Sequence, residues 1–248
     1  MKTLRTCLLM AALLALVGQT AVAQMPRPTP GYLNAAMTKL FGDTKAFSSK
    51  AEVRMKNKAG EETMTMTMNF AFLDGKVRSE IDLGQIRSKD MPADAGAMMK
   101  QMGMDKMVTI VLPEKKVMLM IYPALSGYTE MPLPKDEAET VQSNFKIDKE
   151  KLAKETVDGH PCDKCKVTMT DDKGQKRDAT VWQATDLKDF PIQMQMTEKD
   201  TTVVILYRDI KFAKPEASQF EGPAGFTKHD SMQAMMQGAM MKMMGGQK

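Results

Sequence analysis

From Phe47 onward the chain is written with a period of two. Val53 and Met55 alternate with charged residues, and Met64, Met66, Met68, Phe70 and Phe72 then take every second position, with Thr63, Thr65, Thr67, Asn69 and Ala71 between them. Successive strand side chains point to opposite faces, so this spacing predicts a long strand with one apolar face. Asp74-Gly75 supplies a hairpin turn into VRSEIDL.

The same grammar recurs downstream. VTIVL and VMLMIY flank Pro113 to Lys116, KVTMT and ATVWQA flank Asp171 to Gln175, and IQMQM and TVVILY flank a turn around Lys199-Asp200. Short turns between paired strands make an antiparallel meander of roughly ten strands, and the lack of strand-helix alternation disfavours a parallel α/β fold. Ahead of the first strand, Leu33, Met37, Leu40 and Phe41 share one face of a short helix that ends near Gly42. Residues 91–103 and 135–155 break the alternation and read as helical or irregular. The predicted class is mainly β (α+β).

The first 23 residues change the picture of where the protein works. Lys2 and Arg5 precede an apolar run from Cys7 to Val17, and Ala21-Val22-Ala23 is a small-x-small cleavage triplet. These are the three parts of a cleaved secretory signal peptide, and the run of about 11 residues is short of the roughly 20 that cross a bilayer. The expected organisation is a signal peptide at 1–23, a Pro-rich linker at 24–31, a β domain at 32–228 and a Met-rich tail at 229–248, with the mature chain periplasmic and without a transmembrane segment. The formal charge of +4 includes Lys2 and Arg5. The exported chain therefore has no net electrostatic case for nucleic acid.

Chemistry is sparse. The chain has no P-loop, GxGxxG, GxSxG or HExxH pattern, and its two histidines, His160 and His229, leave little for a histidine base or a multi-histidine metal site. No catalytic residue and no cofactor are expected. The stretch DGHPCDKCKV holds the two cysteines that follow the signal peptide, Cys162 and Cys165. A redox CxxC belongs at a helix N-terminus, whereas this one runs into a strand, and a metal site would need two more ligands, for which His160 is the nearby candidate. An oxidising compartment and an even count favour a small structural disulfide, Cys162–Cys165, which requires a bent backbone because strand residues i and i+3 point to opposite faces.

The order of these elements resembles the periplasmic lipoprotein-carrier-like (LolA/LolB-like) superfamily, and more closely an uncharacterised exported bacterial branch of it. The residues that carry the resemblance are Asp74 to Arg78, Pro113 to Lys116, Val157 to Val167 and Trp182 to Ile192, within a stretch covering about residues 32–228. The resemblance implies one large curved antiparallel sheet, an incomplete barrel, with short helices on its concave face around an apolar cavity. In characterised relatives of the superfamily that cavity holds acyl chains.

Methionine then decides between readings of function. There are 27, and all but Met1 and Met10 follow the signal peptide. Those on strands fill irregular core space, or line a deformable cavity. On the second reading the ligand-binding wall consists of Met64, Met66, Met68, Phe70, Phe72, Met118, Met120, Trp182, Met194 and Met196. In the tail, Asp230 or Ser231 can cap a helix carrying Met232, Met235, Met236, Met240, Met243 and Met244 at spacings of three and four. Such a helix is too apolar to stay bare and docks on the sheet, on a partner or on a membrane surface. Thioethers are also soft ligands, so Met235, Met236, Met240, Met243 and Met244 form an alternative Cu(I)/Ag(I) set. The favoured expectation is a non-catalytic periplasmic protein that binds an apolar small molecule or lipid. The alternatives are the Met-rich metal-binding protein, or a structural or stress-interaction protein with an envelope protein partner.

Overall fold

A computed structural model describes residues 35–245 apart from positions 93 and 143. The expected signal peptide and Pro-rich linker lie outside the described residues. A first meander contains β1 (Ala46–Lys56), β2 (Glu62–Leu73), β3 (Lys76–Asp82), the two-residue β4 (Arg87–Ser88), β5 (Lys106–Leu112), β6 (Val117–Tyr122) and β7 (Gly127–Pro132). A second contains β8 (Lys146–Val157), β9 (His160–Thr170), β10 (Lys176–Ala184), β11 (Phe190–Glu198) and β12 (Thr201–Lys211). A short β13 (Thr227–His229) follows, and four helices interrupt or flank the strands: α1 (Ala35–Lys39), α2 (Ala95–Gln101), α3 (Lys135–Gln142) and α4 (Met232–Gly245).

All the strands join one open sheet in the order β13-β7-β6-β5-β3-β2-β1-β12-β11-β10-β9-β8, with β4 beside part of β2. The two meanders meet along β1 and β12, where Val53 faces Ile205 and Ala51 faces Tyr207. Every pairing is antiparallel except β13 with β7. The hairpins turn where the sequence offers left-handed conformers. Asp74 (φ 48°) and Gly75 (φ 86°) join β2 to β3, and Asp158 (φ 50°) and Gly159 (φ 86°) join β8 to β9. Positive φ at both central residues matches the twist of the flanking strands.

The inner face of this sheet is covered along the aromatic cluster and α4, and the outer face only in part. On the inner face Phe41, just after α1, meets Phe47, Phe70, Phe72, Phe190 and Tyr207 at ring-centroid separations of 4.9, 6.2, 5.0, 6.0 and 5.8 Å. Farther along the same face, Met235 of α4 packs with Leu83, Met107, Met118, Met120 and Tyr122. On the outer face the chain after β12 crosses back over the first meander. Phe220 is buried there among Ala71, Leu73, Ile110, Leu119 and Ile121, and Arg78 Nη1 donates to the Gln219 carbonyl at 2.9 Å. This crossover is what a parallel β13–β7 pairing requires.

The strand count exceeds the roughly ten expected, chiefly because residues 146–157 form β8 rather than continuing the irregular stretch that begins at 135. β8 reads Lys-Ile-Asp-Lys-Glu-Lys-Leu-Ala-Lys-Glu-Thr-Val and is exposed over nearly its whole length. An edge strand wet on both faces has no apolar alternation to reveal it, and its charges discourage edge-to-edge pairing with other chains.

Phe41 is 3% exposed. Phe41→Ala is expected to cost about 3–5 kcal/mol of unfolding free energy, against about 1 kcal/mol or less for Phe212→Ala, whose ring is 43% exposed. Urea unfolding of the two variants checks the difference.

Candidate apolar binding face

The register of the strands decides which expected wall residues can act together. Met64, Met66, Met68, Phe70 and Phe72 of β2 face Met55, Val53, Ala51, Ser49 and Phe47 of β1. Across β12, Val53 and Met55 lead to Ile205 and Val203, and these lead to Met194 and Met196 of β11. On the other side Phe72 leads through Val77 and Val111 to Met118, and Phe70 leads through Ser79 and Thr109 to Met120. Direct cross-strand partners share a face. Nine of the ten sequence-selected positions therefore lie on the inner face.

Their burial is graded along β2. Phe70 and Phe72, beneath Phe41, are closed over, as are Met68, Met118, Met120, Met194 and Met196. Met64 and Met66 are only half-buried, and so is Met55, which faces Met64. The inner face thus runs from a sealed aromatic end to a half-open thioether end. The periodicity of β2 places these side chains on one face, but Phe41, which closes the aromatic end, comes from a helix whose docking site no local pattern shows.

Trp182 is separated from the other nine. It packs on the outer face with Cys162, Ala184, Ile192 and Leu206. Its Nε1 donates to Glu155 Oε2 at 2.6 Å, Lys164 Nζ donates to Glu155 Oε1 at 2.9 Å, and Lys164 Nζ stands 5.1 Å from the indole centroid. The Lys164 ammonium and then the indole N–H hold the Glu155 carboxyl below its ordinary range. Because Glu155 lies on β8 and Lys164 on β9, this cluster fastens the charged edge strand to the sheet. The even positions of β10 face outward, so Trp182 could be excluded from the inner wall only once the register was known.

The expected disulfide is not formed. Cys162 and Cys165 are both buried free thiols. β9 pairs with β10 without a register shift from Lys176↔Thr170 to Ala184↔Cys162, and the one irregularity nearby falls on β8, between Lys151 and Ala153. In so regular a strand, positions three apart point to opposite faces, and the bend that the bridge required is absent. Burial pushes the Cys162 thiol above its ordinary range.

The Met-rich tail forms α4, capped by Ser231, whose Oγ accepts from Ala234 N at 3.1 Å. Met235 is buried to 1% exposure, Met236 is half-buried, and Met241 is 73% exposed. The side chains of Met240, Met243 and Met244 lie outside the described residues. α4 comes close to β7 because position 127 is glycine. A β-carbon there would stand 3.0 Å from Met235 Sδ and 3.2 Å from His229 Nε2.

The outer face carries a groove of about 890 Å³ whose lining includes Lys50, Asn69, Arg78, Asp158, His160, Arg208 and Gln219. Its charges are largely matched within the protein. Lys50 pairs with Asp209 at 2.9 Å, Arg78 with Glu80 at 2.6 Å, His160 with Asp186 at 2.8 Å, and Arg208 with Asp158. Among the described residues no cluster of three or more His, Cys, Asp or Glu side chains could hold a metal ion, and no helix is long and apolar enough to cross a membrane.

A family model described as "Domain of unknown function (DUF4412)" matches residues 50–204. None of the curated proteins compared with the chain matches it. Among solved structures, the chain is similar to a DUF1329 family protein from Desulfovibrio piger, with 16% identity over 77% of this chain and 95% of that one at a TM-score of 0.35. It is similar to a LolA superfamily protein from Nitrosomonas europaea, with 9% identity over 76% and 98% at 0.35. It is also similar to the lipoprotein LppX from Mycobacterium tuberculosis, with 12% identity over 71% and 93% at 0.39. The LolA-like superfamily that the sequence resembles is thus among the structural matches, but at these TM-scores the superpositions assign no role to any residue of this chain.

Thiol titration with Ellman's reagent checks the cysteine assignment. The non-reduced protein from residue 24 onward is expected to give no fast-reacting thiol when folded and two in guanidinium. Fewer than two in guanidinium would restore the bridge.

Proposed function

The chain belongs to the DUF4412 family, and we propose that it is an exported, periplasmic, non-catalytic binding protein whose inner face receives an apolar ligand of the lipid or acyl-chain class. The observation that carries this reading is how the face is covered. A second sheet would seal the methionines and phenylalanines into a permanent core. Here the cover is Phe41 behind a five-residue helix over β1, β2 and β12, and α4 with Met99 and Met104 farther across the sheet, over β5 and β6. A five-residue helix has little stability of its own and opens at a small fraction of the global unfolding free energy.

The wall suits such an opening. Methionine is unbranched and polarizable, so its side chains re-pack around a flexible chain at low cost. The half-buried Met64 and Met66 offer the way in, since a ligand that enters there covers thioether surface already partly in water. The nine inner-face residues chosen from the sequence lie within the family-matched segment 50–204, whereas Phe41 and α4 of the cover lie outside it.

A soft-metal role is the second reading, and it rests on one specific contact. His229 Nε2 and Met235 Sδ converge at Gly127, so an imidazole nitrogen and a thioether are both within reach of one point on the α4 docking surface. Nitrogen and thioether donors suit Cu(I) or Ag(I), and Met236 on the next position of α4 is a further donor of the same kind.

Native mass spectrometry after gentle extraction, followed by titration with a fluorescent acyl lipid, tests the first reading. Co-purified lipid is expected, and Met64→Glu/Met66→Glu is expected to weaken probe binding at least tenfold while leaving the fold intact, because both positions are half-buried. A protein that emerges ligand-free and leaves the probe unbound overturns it. For the second reading, Cu(I) competition against a chelator is expected to show at least tenfold weaker binding in His229→Ala. Unchanged affinity after deletion of residues 230–248 removes the tail from consideration.

A further inference from the structure

Across the first meander the inner face is apolar except along one line. Five polar side chains are buried among the described residues, and four of them, Ser49, Ser79, Thr109 and Thr129, stand in a single cross-strand row. Thr129 of β7 faces Met120, Met120 faces Thr109, Thr109 faces Ser79, Ser79 faces Phe70, and Phe70 faces Ser49 of β1. With strands about 4.8 Å apart, the row crosses six strands over roughly 24 Å. That is about the length of an extended long acyl chain.

Among the described residues three of these hydroxyls, on Ser49, Thr109 and Thr129, have no hydrogen-bond partner, and neither does the fully buried hydroxyl of Tyr207, on the same face. An unpaired buried hydroxyl bears its whole desolvation penalty, and native proteins rarely leave such groups without a reason. Here four lie on one face, on residues no more than 8% exposed, while the residues between and around them are methionine and phenylalanine. Valine in place of threonine would preserve the shape of the wall and remove the penalty. The hydroxyls therefore serve a partner that comes from outside the chain.

We infer that this row reads the polar group of the inner-face ligand, and that the ligand is a neutral acyl ester whose carbonyl oxygens accept from the hydroxyls of Thr109, Thr129 and Ser49. This rests on the apolar-ligand reading above and narrows it. A hydroxyl can rotate to donate wherever an acceptor is placed, so a row of them tolerates a carbonyl at several depths along the face. The six residues of the row include no basic side chain, and a carboxylate buried there would lack a paired charge. An ester carries the acceptor without the charge, which favours it over a free fatty acid.

Three probes of matched chain length separate the possibilities: hexadecane, methyl palmitate and palmitate, each titrated against the chain from residue 24 onward and against Thr109→Val/Thr129→Val. The intact protein is expected to bind methyl palmitate at least tenfold more tightly than hexadecane and more tightly than palmitate. The double variant is expected to lose the preference for ester over alkane, keep its hexadecane affinity and melt no lower than the parent. Hexadecane binding with no ester preference in the parent, or an ester preference retained in the variant, overturns the inference and leaves the apolar site standing. Failure of the parent to bind either hexadecane or the ester overturns both. A variant that melts lower and loses both probes assigns the hydroxyls to folding and overturns the inference.

Discussion

The pairing of β1 with β12 is the constraint on which the rest of the structure depends. Each meander can form from short hairpins, but only this seam joins residues 46–56 to residues 201–211 and makes one sheet of two halves. It brings Tyr207 and Phe190 of the second half against Phe47 and Phe70 of the first, and so creates the aromatic socket into which Phe41 fits. Long-range antiparallel pairing bears its loop-closure entropy before any contact offsets it. The fully buried ring cluster at the seam supplies that offset.

A single sheet so assembled must still bury its apolar surface. The outer face is covered in part, and Lys50, Asn69 and Arg208 between the covers stay exposed. The crossover to β13 lays Phe220 over the first half, and the Trp182, Glu155 and Lys164 cluster ties down the charged edge strand of the second. The inner face is closed by pieces that are small and local, namely Phe41 beside α1, the methionines around α2, and Met235 of α4. The outer face keeps a wet, charged middle that has nothing to hide, whereas the apolar inner face lies under short, separate pieces of chain. That contrast is the physical basis for reading the inner face as the one that opens.

Chemistry and geometry agree on the same face. Methionine supplies a wall that can change shape without losing contact, phenylalanine supplies the sealed end, and Ser49, Thr109 and Thr129 of the polar row place hydroxyls where no partner stands among the described residues. Gly127 has a comparable role at the far end, since only the absence of a β-carbon allows α4 and His229 to approach β7. Each of these features is a single residue type at a position that the sheet register selects.

Alternation of apolar and polar residues by itself determined the mainly β class, the antiparallel hairpins and the inward face of β2, because side-chain direction along a strand is fixed by backbone geometry alone. Turn residues such as Asp74-Gly75 could be read for the same local reason. Three things were not legible. β8 has no apolar period because both of its faces meet water or charge. The fate of Cys162 and Cys165 depended on whether β9 bends, which its uninterrupted pairing with β10 settled. Trp182, included in the expected wall, faces outward because the register of β10 turns its even positions that way. What covers the inner face, and that Ser49, Ser79, Thr109 and Thr129 form one line, follow from separate strands brought into register. Only the tertiary structure could decide them, since no local interaction sets how distant strands align.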